Sequence, residues 1–460
     1  MNALLQAERD ASLADGRGTS ARARMLLEFV RELERQEIPY CVLRGEQHFP
    51  EPGAGSDLDL LTEPGRVHEV AELAAAIARR NGVSVWERRR MGFMEQVLLY
   101  VFDEQGEHQF FGVDVHGSEA CFGVPFLEAR TVLARTRRER GLVRPERALA
   151  ACINALGAWL ASGCIPPRHA AAFAEALREE PAQIESLLAQ IFGRAHARAM
   201  LAEPELARAW PLARLRWALL ARAFARAPLS SARSLLAYAW AVRLRPLARP
   251  RGRMIAFLGT DGSGKSSVLE AVRALLEPAF RRERLHVFHL RPGLLPQINA
   301  LFHGGRTSYT LADMAAPHRA RPSGYVGSAL RAAYYGADYV LGYALRVLPL
   351  RRRSVLVAFD RYIDDYQVDP LRSRIRLDLP GLGLLCRLVP RPDHVFVCSA
   401  PLETLRARKQ ELPEAESARQ LQQYEQLARR LPRARLVRTT GSVREAADCV
   451  VRSIFEEPCT

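Results

Sequence analysis

Lysine is almost missing from this 460-residue chain. Of its 66 basic residues only two, Lys265 and Lys409, are lysines, and the other 64 are arginines. Where any cation serves, the chain uses arginine. A position that keeps lysine therefore marks a need for a compact ammonium on a flexible stem, which a planar guanidinium cannot replace. Paired cysteines are also missing: Cys41, Cys121, Cys152, Cys164, Cys386, Cys398, Cys449 and Cys459 contain no Cys-x-x-Cys pair. This pattern excludes a disulfide framework and a zinc-finger site, and it predicts buried reduced thiols in a cytoplasmic compartment. The first residues carry no apolar signal-peptide core. Residues 148–167 are free of charge for about the length of a membrane span, but they hold Asn154, Ser162, two glycines and a Pro166-Pro167 pair. They predict a buried helix, so no transmembrane segment is expected, while peripheral association with a membrane surface stays open. The net charge of +15 is not gathered with aromatics into one stripe, which argues against nucleic acid as a partner.

What is present is ordinary globular composition, 48% hydrophobic and 25% charged, with length for about three domains. The most informative stretch is residues 254–267, MIAFLGTDGSGKSS. An apolar run leads into Gly259, Thr260, Asp261, Gly262, Ser263, Gly264, Lys265, Ser266 and Ser267, and a helix-compatible segment follows. Strand, glycine-rich loop and helix at this spacing make a phosphate-binding P-loop, which implies ATP and Mg²⁺. Glycines let successive amides face one anion, the helix adds its positive end, Lys265 supplies the ammonium, and Ser266 can hold Mg²⁺.

Upstream, residues 1–20 read as a flexible tail. A helix is expected over 22–36, then a short strand at 40–43 followed by Arg44-Gly45. Asp57-Leu58-Asp59-Leu60-Leu61 alternates acid and apolar residues, so in a strand Asp57 and Asp59 share a face. Two adjacent carboxylates repel unless a divalent cation lies between them. A helix over 66–80 follows, with strands near 83–86 and 94–102. Phe110-Phe-Gly-Val-Asp114-Val-His116 adds a third acid on an apolar strand. Asp57, Asp59 and Asp114 are thus candidate ligands for two Mg²⁺ ions.

Leu43-Arg44-Gly45, the Asp57-x-Asp59 pair and Asp114 resemble the nucleotidyltransferase fold shared with polymerase β-like enzymes. The resemblance implies an N-terminal α+β domain over 21–124. In that family a Gly-Ser pair precedes the acids, whereas this chain has Gly45-Glu46 and so lacks the serine that contacts a triphosphate. Residues 125–242 read as nearly continuous helix, an all-α middle domain punctuated by Pro145, Pro166-Pro167, Pro181, Pro204, Pro211 and Pro228. Residues 243–253, rich in arginine and proline, read as a linker.

Past the P-loop helix, strands are expected at 285–290, 354–360, 394–398 and 436–439, with helices at 325–348 and 443–455. Alternating strands and helices indicate an α/β domain with a parallel sheet. The tyrosines at 334, 335, 339 and 343 read as core rather than as a base-stacking platform. Asp360, at the carboxyl end of a buried strand, is where a Mg²⁺-organising carboxylate belongs.

The P-loop, Phe359-Asp360-Arg361-Tyr362 and Leu405-x-x-Arg408-Lys409 together resemble thymidylate kinase-like P-loop nucleoside monophosphate kinases over 254–457. The resemblance implies that Asp261 contacts an acceptor sugar hydroxyl, that Arg361 binds the acceptor's phosphate, and that Arg406, Arg408 and Lys409 close over the transferred phosphoryl as a lid. The chain departs from the family where Asp364, Asp365 and Asp369 follow Arg361, and where Leu290-Arg291-Pro292-Gly293 displaces a phosphate-binding arginine. Such carboxylates repel an acceptor phosphate, or hold a sugar or amine. The implied function is an ATP-dependent transferase acting on a nucleotide, sugar or related metabolite. Its fusion to a nucleotidyltransferase-like domain suggests nucleotide-sugar or surface polysaccharide metabolism. A nucleotide-binding regulatory protein with little phosphoryl transfer remains the alternative.

Overall fold

The computed structural model describes residues 20–45, 49–50, 57–202, 211–277, 285–296, 298, 324–376, 378–410 and 412–456. The expected tail (but for Ser20), Glu46 and most of the polar stretch that ends at 323 lie outside them. The chain divides into two compact units, Met1–Arg245 with Phe455–Thr460, and Pro246–Ile454.

Unit 1 begins with helix α1, Ala21–Arg35, whose Ser20 hydroxyl accepts a hydrogen bond from the Ala23 amide at 3.1 Å and so caps the helix. Met25, Leu26, Phe29, Val30 and Leu33 form its buried stripe at helical spacing. That stripe packs with helix α2, Val67–Arg80, on one face of a five-stranded sheet. The strands are β1 (Tyr40–Arg44), β2 (Leu58–Thr62), β3 (Ser84–Arg90), β4 (Met94–Phe102) and β5 (His108–His116), in the order β1-β2-β5-β4-β3. Only β2 and β5 run parallel, and their register sets Asp59 opposite Asp114.

Residues 118–145 correct the expectation of continuous helix from 125 onward, with one short helical segment, Ala129–Leu133, between their strands. They form two hairpins, β6 (Ser118–Cys121) with β7 (Val124–Glu128) and β8 (Thr136–Glu139) with β9 (Leu142–Pro145). Their two-residue turns are Phe122-Gly123 and Arg140-Gly141, all four at positive φ, the backbone that matches the twist of paired strands. Pro145 accordingly ends a strand instead of opening a helix, which begins at Arg147.

Helices α3 (Arg147–Ser162), α4 (Pro167–Glu179), α5 (Pro181–Phe192), α6 (Arg194–Ala202), α7 (Leu212–Arg226) and α8 (Pro228–Ala239) follow. Proline opens α4, α5 and α8, where its missing N–H costs no helical bond. The charge-free stretch is α3, buried along Leu149, Cys152, Ile153, Leu156 and Leu160. Its core is continuous with Cys41, Leu43 and Leu61 of the sheet, so the helical block and the sheet share an interior. Among the described residues no helix is long and apolar enough to cross a membrane. Cys41, Cys121, Cys152, Cys386 and Cys398 are buried free thiols, but Cys164 and Cys449 are exposed, against the expectation of burial. The arginine- and proline-rich stretch at 243–253 is helical as far as Ala248.

Unit 2 is a parallel α/β layer. Strands β10 (Met254–Leu258), β11 (Leu285–His289), β12 (Leu356–Asp360), β13 (His394–Ser399) and β14 (Ala434–Arg438) lie in the order β11-β12-β10-β13-β14. Every pairing is parallel. β10 is buried along its whole length, as a central strand covered on both faces must be. The chain builds one side of β10 first and then the other, which leaves a crevice at the carboxyl ends of β10 and its neighbours. Tyr339 and Tyr362 belong to the core beside Phe359.

Candidate functional site

The loop after β10 can be built only with glycine at its first position. Gly259 has φ +140°, and a Cβ there would lie 2.3 Å from the Cys398 carbonyl oxygen of β13. Gly262 and Gly264 also have positive φ, and a side chain on Gly262 would run into the Leu405 carbonyl at 2.9 Å. The loop ends in the helix Lys265–Leu276, designated α9, which carries Ser266 and Ser267 in its first turn.

Lys265 is 6% exposed. Its ammonium donates to the Gly259 and Thr260 carbonyls at 2.9 and 2.7 Å, and Ser263 Oγ is 3.5 Å away. Burial, joined by the nearby Arg361 charge, pushes its pKa down to about 8 against the pull of Asp261. Thr260 Oγ1 is buried in the loop with no hydrogen-bond partner among the described residues.

Parallel pairing of β10 with β12 brings Asp360 beside the loop. Ser266 Oγ donates to Asp360 Oδ2 at 3.3 Å, and His289 Nδ1 lies 3.3 Å from the same oxygen. Burial raises the Asp360 pKa, but the His289 hydrogen bond and the Lys265 charge outweigh it and hold the carboxyl below its ordinary value. His289 carried no signal in the sequence, because only the β11–β12 register sets it opposite Asp360.

Arg361 sits at φ +73° immediately after β12 and is almost wholly buried. One terminal nitrogen donates to both Asp365 oxygens at 2.9 Å and to the Tyr424 hydroxyl at 3.2 Å. The other reaches Asp261 at 2.5 Å. Tyr424 in turn donates to Asp365. Arg372, which belongs to no motif in the sequence, binds the second Asp261 oxygen and also pairs with Asp369 at 3.3 Å. Burial works against the Asp261 carboxylate, yet Arg361 and Arg372, followed by Lys265 and Lys409, hold its pKa well below the ordinary range. Asp261 and Arg361, expected to face an acceptor separately, are therefore bonded to each other. Asp364 is also buried, and that burial pushes its pKa up to about 6.

The expected lid residues are divided. The helix Leu402–Arg408 ends beside the loop, with Lys409 Cβ 3.3 Å from where a Gly262 side chain would begin. Arg408 donates to the Thr439 carbonyl at 2.7 Å, and Thr439 Oγ1 donates to the Ser263 carbonyl at 2.9 Å. Arg406 points elsewhere, toward Glu414 at 3.3 Å. Arg291 is tied to the fully buried Asp338 at 3.2 Å and lies over the Tyr335 ring.

In unit 1, Asp57 precedes β2 and lies against Gly112, so close that a Cβ at Gly112 would meet its Oδ1 at 2.9 Å and Asp114 Oδ1 at 3.6 Å. The three expected acids do converge on one face of the sheet. The group whose ligand atoms lie within 4.8 Å of one another is, however, Asp59, Asp114 and His116. Arg44 donates to Asp59 at 3.0 Å and to Asn154 at 2.9 Å. Burial and the neighbouring Asp59 charge push the Asp114 pKa up to about 7. His116 was in view in the sequence, two residues after Asp114 on the same strand face. A cavity of about 1000 Å³ also opens in unit 1 beside Phe93, Gly117, Ser118, Arg222 and Arg226; no residue expected from the sequence lines it.

No protein-family model and no curated protein matches the chain. A crystal structure of thymidylate kinase from Ehrlichia chaffeensis is similar at 14% identity, covering 44% of this chain and 98% of that one, with a TM-score of 0.31. A score that low carries no argument about activity, and the functional reading rests on the geometry of the site.

Proposed function

We propose that unit 2 is an ATP-dependent phosphotransferase, and that its acceptor is a hydroxyl of a small molecule without a phosphate, such as a sugar or nucleoside. The observation that carries the reading is the meeting of Lys265, Ser266 and Asp360 at the carboxyl ends of β10 and β12. A serine hydroxyl and a carboxylate 3.3 Å apart are the hard oxygen donors that Mg²⁺ prefers, so the residues fit the ion. Bound there with ATP, Mg²⁺ would neutralise charge on the β- and γ-phosphates.

The chain's own groups supply the rest. The amides of the loop and the start of α9 face an anion, and Lys265 can exchange its two carbonyl partners for phosphate oxygens. Arg408 and Lys409, beside the loop, add positive charge where the transferred phosphoryl gathers negative charge. Asp261, kept ionised by two arginines, accepts a hydrogen bond from the acceptor hydroxyl and orients it. The hydroxyl oxygen forms the new bond to the γ-phosphorus as the bond to the β–γ bridging oxygen breaks, and the hydroxyl proton leaves to solvent.

Support for an acceptor without phosphate comes from the arginines. Arg291 is matched by Asp338, Arg361 by Asp365 and Asp261, and Arg372 by Asp261 and Asp369. A phosphate monoester entering here would have to displace buried carboxylates. The test is transfer from γ-labelled ATP to a panel of sugars, nucleosides and nucleoside monophosphates. Transfer to hydroxyl acceptors, lost by roughly a hundredfold or more in Lys265→Ala, is expected. Preferential transfer to thymidine monophosphate would overturn the acceptor assignment, and turnover unaffected by Lys265→Ala would overturn the reading as a whole. Unit 1 is proposed as the nucleotidyltransferase-like partner, on its mixed sheet and converging acids.

A further inference from the structure

The spacing of Asp57, Asp59 and Asp114 predicts three carboxylates holding two Mg²⁺ ions, and the donors that unit 1 brings closest together do not fit that arrangement. The three ligand atoms that lie within 4.8 Å of one another come from two carboxylates and an imidazole. We propose that Asp59, Asp114 and His116 bind a single first-row transition-metal ion, and that Arg44 takes the place of the second cation.

Two independent features support a ligand at this point. His116 is 8% exposed, and neither ring nitrogen has a hydrogen-bond partner among the described residues. Asp114, equally buried, uses one oxygen to accept from Gln96 at 2.7 Å, while its Oδ1 has no partner among the described residues. A buried polar atom left unsatisfied costs about 1–3 kcal/mol, so a cation held by Asp114 Oδ1 and one of the two His116 ring nitrogens would satisfy both groups. The strands fix this convergence: Asp114 and His116 alternate on one face of β5, and the parallel register sets Asp59 opposite Asp114. None of it depends on a loop.

The imidazole decides the kind of ion. Magnesium takes oxygen ligands and gives up its water reluctantly, whereas manganese, cobalt and zinc accept a nitrogen donor. Arg44 decides the number. Its guanidinium donates to Asp59 Oδ2 at 3.0 Å and lies 3.6 Å from Glu119, while its Nε is held by Asn154 at 2.9 Å. Helix α3 leaves room for it through Gly157, where a Cβ would come within 2.6 Å of Arg44 Nη2. A fixed positive charge on Asp59 does the neutralising that a second ion would otherwise do, and it disfavours that ion by repulsion.

The experiment is metal binding to the full chain without nucleotide, after chelator treatment. Equilibrium dialysis against Mn²⁺, Co²⁺, Zn²⁺ and Mg²⁺ separately, with metal analysis by mass spectrometry, gives stoichiometry and affinity. One equivalent of Co²⁺ is expected, with a visible absorption spectrum showing a nitrogen ligand, and with Mg²⁺ binding at least about tenfold more weakly. His116→Gln should lower Co²⁺ affinity by about tenfold or more and change the spectrum, whereas Lys265→Ala in unit 2 should leave both unchanged. Arg44→Gln should admit a second equivalent or tighten the first. Two equivalents of Mg²⁺ on an Asp360→Asn chain, in which the proposed Mg²⁺ carboxylate of unit 2 is removed, or no tightly bound ion of any kind, would overturn the proposal. So would Co²⁺ binding that His116→Gln leaves intact. The wild-type stoichiometry and spectrum decide the matter even where a variant fails to fold.

Discussion

Arg361 and Asp365, four residues apart, form a buried pair in which one guanidinium nitrogen contacts both carboxylate oxygens at 2.9 Å. The pair turns an arginine that the resemblance assigns to an acceptor phosphate into part of the frame that holds Asp261. Removing one member strands the other charge in the interior. Asp365→Ala is therefore expected to cost about 3–5 kcal/mol, read as a fall in the midpoint of urea unfolding. A change below about 1 kcal/mol, the scale of a surface pair, would show that the guanidinium has other means of solvation.

Gly259 and Gly383 offer a contrast. At Gly259 a methyl group would meet backbone at 2.3 Å, on a residue whose φ is +140°. Gly259→Ala should lose ATP binding, measured by calorimetry, and destabilise unit 2. At Gly383 no atom of the described residues beyond its own helix backbone lies within 4 Å of where an alanine methyl would stand, and φ is not in the left-handed region. Gly383→Ala should stabilise by up to about 1 kcal/mol through the unfolded chain's lost freedom. Equal effects at the two sites would refute this account of the loop.

Asp338 is fully buried and anchors the segment after β11 through three donors. It accepts from the Gly293 amide at 3.2 Å, the Leu295 amide at 2.6 Å and Arg291 at 3.2 Å. Asp338→Ala takes from the part-buried Arg291 guanidinium and from two amides their shared acceptor, with an expected cost of about 1–3 kcal/mol. Hydrogen exchange at the Gly293 and Leu295 amides should accelerate well beyond the change at β10. Unchanged protection at both amides would contradict the anchoring role.

His394, buried in β13 against Phe396, has its pKa pushed down to about 4, by burial first and then by Arg253. Because the folded value lies below the unfolded one, the protonated ring favours unfolding. The stability is fully present above about pH 6.5 and is lost as pH falls from there toward about 4, by about 3 kcal/mol at most. Thermal midpoints across that window should fall less steeply in His394→Gln than in the wild-type chain. Parallel pH curves for the two proteins would remove His394 as the source.

Much of unit 2 could be read along the chain because its signals are local. Strand, glycine loop and helix are contiguous over 254–276, so the placement of Lys265 and Ser266 at the start of the helix was legible from spacing alone. Asp360 was legible as the acid ending a buried apolar run. The hairpins at 118–145 were overlooked because short strands with mixed burial resemble helix ends in hydrophobic pattern, and the positive-φ pairs Phe122-Gly123 and Arg140-Gly141 were the available clue.

Tertiary structure decided what each charged group is used for. Spacing supplied Asp261, Arg361 and Asp365 but not Arg372, and whether an arginine faces an acceptor or a carboxylate depends on which segments the fold brings within about 3 Å, because ion-pair energies fall steeply with distance and exposure. His289 reached Asp360 through the β11–β12 register, and His116 joined Asp59 and Asp114 through the β2–β5 register. A strand register is a relation between distant parts of the chain, and no single stretch of sequence contains it. The sequence by itself determined the strand, glycine-rich loop and helix of residues 254–276. The packing of strands and buried charges decided what surrounds it.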